Sequence, residues 1–258
     1  MAFEREVELA KLLAQEAGAL AIDYQRRGVE AEMKPDESPV TAADRACEKL
    51  IVDRISLEFP EDGLLGEEGT RRQSRSGRKW IIDPIDGTRD FLRGIPLWTV
   101  LIGLEQDGDI VAGAAHCPRQ GFLLWAARGE GAWSSDSQLR VSDKSDPKDA
   151  VLSFNGFNKA GVAPFASRFL PWVQRFWAVR SMGGAVDAML LAQGRSDVWM
   201  EPNGSPWDFA ALKILIEEAG GYFASFRGEN TIYGGNAYGC APSLKPTVEE
   251  LLRQAELS

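Results

Sequence analysis

From Val7 to Tyr24 the apolar positions Val7, Ala10, Leu13, Ala17, Leu20 and Tyr24 recur three and four residues apart and stop at Gly28, which predicts an amphipathic helix closed by glycine. A polar, proline-punctuated stretch from Lys34 to Asp44 leads into a second helix with Ala43, Cys47, Leu50, Ile51 and Ile55 on one face. Thr41 and Asp44 have the spacing of a capping box at its start. Leu64-Leu65-Gly66-Glu67-Glu68-Gly69 then reads as a short apolar run ending in an acidic turn between glycines, and Arg71 to Lys79 as a basic, serine-rich, mobile loop. Trp80-Ile81-Ile82 is a buried strand, and Pro84 is expected to end its ladder. Trp98–Leu104 and Ile110–Ala115 flank a hairpin turn at Gln106 to Asp109, and Phe122–Ala126 with Gly131–Trp133 predicts a second hairpin on the same sheet.

Beyond about Ser142 the pattern changes to strand-helix alternation. The expected elements are strands at Val151–Phe154, Phe176–Val179, Asp197–Met200 and Tyr222–Ala224, and a helix at Ala185–Gln193. A second helix begins at Pro206, with Ser205 as its cap and Gly220-Gly221 as its stop. The change of pattern divides the chain into an N-terminal α+β lobe, residues 1–141, and a C-terminal α/β lobe, residues 142–258.

Composition narrows the function classes. The 258 residues are 44% hydrophobic and 26% charged, ordinary for a globular chain. A net charge of −9 would repel a phosphate backbone, so nucleic acid is not an expected partner, and a small anion would need local cations to approach. Cys47, Cys117 and Cys240 stand far apart and are expected to be buried thiols in a reducing compartment. The N-terminus shows no apolar run of signal-peptide type and no stretch is long enough to span a bilayer, so a cytoplasmic protein is expected, without a membrane partner.

The chemistry concentrates in Asp83-Pro84-Ile85-Asp86-Gly87-Thr88. A strand that delivers two carboxylates at its end, followed by glycine and a hydroxyl, suits a hard divalent cation held beside an anion such as phosphate. Gly87 allows close backbone approach and Thr88 can start a short helix. The same residues also suit a plain strand-to-helix turn with capping side chains. Further acids sit in similarly punctuated places: Asp44 at a helix start, Glu67 after a strand, and Asp208 in the first turn of the helix after Ser205. Each also has a structural role open to it, capping for Asp44, a solvated turn for Glu67, and the helix dipole for Asp208. The motif Asp107-Gly108-Asp109 matches the nucleophile pattern of haloacid dehalogenase-like phosphatases, but it falls in a hairpin turn. His116 has no second histidine with which to form a relay.

Taken together, W-I-I-D-P-I-D-G-T, the upstream G-E-E and the downstream W-D-F-A-A-L-K-I-L-I-E-E-A-G-G resemble the inositol monophosphatase superfamily, over Lys34 to Gly221. The resemblance implies a layered α/β/α/β/α sandwich, a homodimer, and a Mg²⁺-dependent phosphomonoesterase in which a metal-activated water attacks a small phosphate monoester. Two or three Mg²⁺ ions are implied. Glu67, Asp83 and the Ile85 carbonyl would ligate the first, and Asp83, Asp86 and Asp208 the second. Gly87 and Thr88 would offer amides to the phosphate, the Thr88–Asp44 pair would orient and deprotonate the water, and Glu201 would contact the substrate. Asp90 stands where the family usually has Asn, and Ser205-Pro206 precedes the Trp-Asp pair. Arg93 to Trp98 resembles the histidinol-phosphate phosphatase branch, whereas Glu201 also suits a polyol, so histidinol phosphate and inositol monophosphate stand level. A nucleotide bisphosphate ranks behind them, as does a silent scaffold that keeps the fold.

Overall fold

The computed structural model describes residues 3–28, 30–33, 39–135, 137–160 and 165–253. Helix α1 (Glu4–Arg27) is followed by a small ribbon of β1 (Ala31–Met33) and β2 (Pro39–Thr41), then α2 (Ala42–Glu58). Part of the polar stretch expected from Lys34 onward lies outside the described residues; its end forms β2. Strands β3 (Gly63–Gly66), β4 (Arg71–Arg72) and β5 (Arg78–Asp86) lead to the one-and-a-half-turn helix α3 (Thr88–Arg93). The meander β6 (Thr99–Gln106), β7 (Asp109–Cys117), β8 (Phe122–Ala127), β9 (Gly131–Ser134) and β10 (Ser137–Gln138) completes a sheet of order β10-β9-β8-β7-β6-β5-β3-β4.

The second half begins with β11 (Val151–Phe154), α4 (Phe157–Ala160), α5 (Ala166–Val173), β12 (Ala178–Arg180), α6 (Gly184–Ala192) and β13 (Val198–Glu201). It ends with α7 (Pro206–Glu218), β14 (Tyr222–Ala224), β15 (Ala237–Cys240) and α8 (Lys245–Arg253). These strands form a mixed sheet of order β12-β11-β13-β15-β14, in which β11 runs parallel to β12 and β13 while β15 is antiparallel to its neighbours.

Three apolar clusters join the layers. One packs α1 and α2 on the outer face of the large sheet through Leu13, Ala17, Cys47, Ile51, Ile82 and Ile102. The second holds α6 and α7 between the two sheets, with Ile81, Leu101, Met189, Leu215, Trp199 and Phe223. The third seats α5 and α8 on the far side of the small sheet, around Phe154, Phe169, Tyr238 and Val248. The result is the five-layered α/β/α/β/α arrangement. Strand β5 is covered on both faces, with Trp80 and Ile82 facing one cluster and Ile81 the other, which is why it reads as a continuous apolar run.

Several elements depart from expectation for local reasons. Arg71 to Lys79 is not a mobile loop throughout: Arg71 and Arg72 pair with β3, and Arg78 opens β5. Arg78 is anchored by Glu6 at 2.7 Å and Asp62 at 2.7 Å, and the Trp80 indole N–H donates to the same Asp62 at 2.9 Å. Pro84 does not end the ladder. Pairing with β6 runs to Asp83 and resumes at Asp86 opposite Thr99, so Pro84 and Ile85 form a bulge where no ladder N–H is required. Strand β13 reaches Glu201, one residue beyond its expected end, and β12 begins two residues later than expected, at Ala178. Strand β15, helices α5 and α8, and the β1–β2 ribbon were not foreseen.

Helix α7 lies close on the large sheet because the facing positions are small. A Cβ added at Gly103 would stand 2.7 Å from the Ala210 Cβ, and one at Gly113 would stand 3.2 Å from the Ala211 Cα. Asp208 starts this helix, so this contact also sets its height above β5. Gly103→Val is expected to destabilise the fold by about 1–3 kcal/mol through overpacking, read from the midpoint of urea unfolding. An unchanged midpoint would contradict the close approach of α7.

Candidate active site

The site forms where three chain segments end. Strand β5 delivers Asp83, its bulge delivers the Ile85 carbonyl, and its last residue is Asp86. The loop after β3 delivers Glu67, and the N-terminal turn of α7 delivers Asp208. Carboxylate oxygens of Asp83, Asp86 and Asp208 lie within 4.8 Å of one another. Together with Glu67, Ile85, Gly87, Thr88, Arg89, Asp90, Asn155 and the Gly183-Gly184 pair they line one open cleft of about 410 Å³.

Each acid is aimed by donors from the chain. The Ile85 N–H donates to Asp83 Oδ1 at 3.1 Å, across the bulge. The Ala185 N–H and the Thr99 hydroxyl both donate to Asp86 Oδ2, at 2.8 and 3.2 Å. The Ser205 N–H donates to Asp208 Oδ2 at 2.6 Å, the reciprocal arm of a helix cap. These donors are neutral, so the like charges remain uncompensated. Burial, reinforced by Glu67, Asp86 and Asp208, pushes the Asp83 carboxyl well above its ordinary range. Burial pushes Asp86 up to about 6 and, with Asp86 beside it, Asp208 up to about 7. Convergent hard oxygen donors suit a divalent metal ion, and the cluster could hold one.

The remaining predicted residues fall around this centre. Asp44 is fully buried in the first turn of α2, where its Oδ2 accepts from the Thr41 N–H at 2.8 Å and the Thr41 hydroxyl at 2.6 Å. Its other oxygen faces the Thr88 hydroxyl at 3.4 Å, so the capping role and the proposed catalytic role use different atoms. Burial raises the Asp44 carboxyl too. Gly87 adopts a left-handed conformation (φ 85°, ψ 41°) and caps α3, a turn that favours glycine. Glu201 lies on β13, where its exposure is 8% and the Asn155 amide donates to it. It shares a side pocket of the cleft with Asp86, Asn155, Trp199 and Asp208. Burial, with the surrounding acids, pushes Glu201 up to about 8.

Two residues that shape the site were missed. Glu48 on α2 is buried and accepts from the Glu68 N–H at 2.8 Å and the Thr70 N–H at 3.0 Å, pinning the loop that carries Glu67. Its signal was a carboxylate one helical turn after Asp44, on the apolar face next to Cys47 and Ile51. Asn155 follows β11 and carried no sequence signal beyond its place after a strand. By contrast, Asp107 does sit in the β6–β7 turn, at φ 53°, and His116 is a packed residue whose Nδ1 meets the Phe122 carbonyl at 3.0 Å. All three cysteines are free and buried.

The sequence profile of the inositol monophosphatase family matches residues 4–257. This chain belongs to the inositol monophosphatase family. Histidinol-phosphatase of Chlorobaculum parvum is 41% identical over 233 residues, covering 89% of each chain. Histidinol-phosphatase of Mycobacterium tuberculosis is 37% identical, covering 90% of this chain and 92% of its own. Among solved structures, extragenic suppressor protein suhB from Bartonella henselae superposes with a TM-score of 0.90 at 30% identity, covering 97% of this chain and 99% of that one. The inositol monophosphatase family is metal-dependent, and the chain is a phosphomonoesterase of that family. Among the described residues, no helix is long and apolar enough to cross a membrane.

The perturbed acids give a pH-dependent stability with a definite sign. Asp86 and Asp208 have folded-state pKa values above the unfolded range, so without metal the folded chain holds protons that the unfolded chain has released. Their contribution is fully present below about pH 4 and is lost as pH rises through about 6 and 7. A divalent cation held by these acids would remove that loss. The rise in Tm on adding Mg²⁺ should therefore be larger at pH 8 than at pH 5, and scanning calorimetry at the two pH values checks it.

Proposed function

We propose that the chain hydrolyses histidinol phosphate, using Mg²⁺ held by Glu67, Asp83, Asp86, Asp208 and the Ile85 carbonyl. The observation that carries the substrate choice is Glu201, a buried carboxylate in the side pocket beside the metal cluster, surrounded by other acids and bonded by the neutral Asn155 amide. A neutral polyol would return hydrogen bonds to such a group but no charge, whereas an ammonium group would also restore the charge balance. Histidinol phosphate carries its amine on the carbon next to the ester carbon, so phosphate at the cluster puts a cation within reach of the side pocket. The names of the two histidinol-phosphatases similar to this chain support the same choice.

Two or three Mg²⁺ ions would supply Lewis acidity and offset charge on the phosphoryl oxygens. The chain's own groups do the rest. Gly87 and Thr88 present backbone amides to the phosphate at the start of α3. The Thr88 hydroxyl, which points its own hydrogen at Asp44, orients the attacking water; as Thr88 Oγ1 takes the water's proton its own passes to Asp44 Oδ1, so Asp44 is the net base, and no covalent phosphoenzyme is needed. Asp208 and Glu201 hold the leaving-group end. In the same proposal the enzyme is a cytoplasmic homodimer, with three free cysteines suited to a reducing compartment. Its two lobes divide near residue 142, the second supplying Asp208 and the substrate contacts.

Release of inorganic phosphate from histidinol phosphate and inositol monophosphate, with Mg²⁺ and then with chelator, tests the proposal. Asp83→Asn should fold normally by circular dichroism yet lose more than about a hundredfold in turnover; ordinary activity at saturating Mg²⁺ would defeat the metal assignment. Glu201→Gln should raise KM for histidinol phosphate by about tenfold, the scale of one charge-assisted contact, with a smaller effect on inositol monophosphate. Equal effects on both esters would remove the ammonium from the account.

A further inference from the structure

We infer that Asp187 is a positioning residue that sets the Asp86 carboxylate through the turn from Met182 to Ala185. The assignment rests on the proposal above that Asp86 ligates a cation. Asp187 lies in the first turn of α6 and is fully buried. Its carboxylate accepts the Met182 N–H at 3.2 Å on Oδ1 and 3.1 Å on Oδ2, and the Gly183 N–H at 3.3 Å on Oδ2. The turn it holds contains two successive left-handed residues, Gly183 at φ 95° and Gly184 at φ 50°. Two such residues in succession favour glycine, which is also the residue with most freedom to leave that backbone. A fixed acceptor behind the turn is what keeps it in place.

The front of the same turn is the metal cleft. Gly184 abuts the Asp86 side chain so closely that a Cβ there would collide with the carboxylate. The next residue, Ala185, gives its N–H to Asp86 Oδ2 at 2.8 Å, and Thr99 gives its hydroxyl to the same oxygen. Both donors engage Oδ2, and among the described residues no donor meets Oδ1, so the turn and Thr99 fix the orientation of a carboxylate that stands beside Asp83 and Asp208. That orientation depends on where Ala185 N–H stands, and that depends on Asp187. Burial pushes Asp187 up to about 6, against the pull of the turn amides, so the chain keeps an unfavourably placed acid at this position. A capping role alone would require only an acceptor for the helix start, whereas the coupling proposed here makes the metal cluster sensitive to it.

Asp187→Asn keeps the shape but removes the charge and leaves one acceptor oxygen for the turn amides in place of two. By calorimetric titration of the full chain with Mg²⁺, the variant should bind about tenfold more weakly than wild type, the usual scale for a residue that orients a ligand. The half-saturating Mg²⁺ for phosphate release should rise by the same factor, with kcat at saturating Mg²⁺ changed less than the affinity. A variant with a lower Tm but wild-type Mg²⁺ affinity is a purely structural outcome and overturns the assignment. If Asp187→Asn does not fold, hydrogen exchange on the wild-type chain decides, because coupling between sites is reciprocal. Saturating Mg²⁺ should slow exchange of the Met182, Gly183 and Ala185 amides, and unchanged rates overturn the coupling. A wild-type chain that binds no Mg²⁺ at all removes the metal proposal first, and is told apart by that titration.

Discussion

Like-charge repulsion inside a desolvated cleft is the constraint on which the rest of the structure depends. Asp83, Asp86 and Asp208 bring oxygens within 4.8 Å of one another, and Glu67 adds a further charge to each of them. Left to itself such a cluster would open or take up protons. It persists because each carboxylate is gripped by backbone N–H groups whose own positions are fixed by a bulge, a helix cap and a glycine turn. The grip supplies direction without neutralising charge, so a strong demand for a hard cation is built into the folded state.

The layered architecture serves that geometry. The candidate ligands come from β5, the loop after its paired neighbour β3, and the start of α7, which lies far along the chain and meets the others because α7 is clamped between the two sheets. Small residues at Gly103, Gly113, Ala210 and Ala211 let the helix come down onto the large sheet. Glu48 fixes the Glu67 loop from below, as Asp187 fixes the glycine turn from the side. Buried acids used as anchors for backbone amides thus recur around the cluster.

The metal-ligand candidates were legible because each stood at a break in periodicity: Asp83 and Asp86 after a hydrophobic run, Asp208 after a serine and proline that start a helix. The same punctuation placed α1, α2, the two hairpins and α7. What stayed hidden had no periodic signature. Strand β15 is four residues, Ala237–Cys240, buried on all of them and preceded by a glycine-rich stretch, so no alternation could mark it. The bulge at Pro84 was hidden because a proline reads as a stop until the register of the neighbouring strand is known. Asn155 acts through a contact with Glu201 on another strand, which nothing local marks, while Asp187 grips the turn just before its own helix, where an acid in a first helical turn reads as an ordinary cap. Glu48 could have been found, since a carboxylate on the apolar face of a helix needs a buried partner.

The most direct measurement is the position of a divalent cation in the protein. Crystals grown with Mn²⁺ as a stand-in for Mg²⁺ should give an anomalous difference peak bounded by Asp83, Asp86 and Asp208, with Glu67 beside it. A map with no peak there, or with Mn²⁺ bound only at other acidic groups, would contradict the account at its centre.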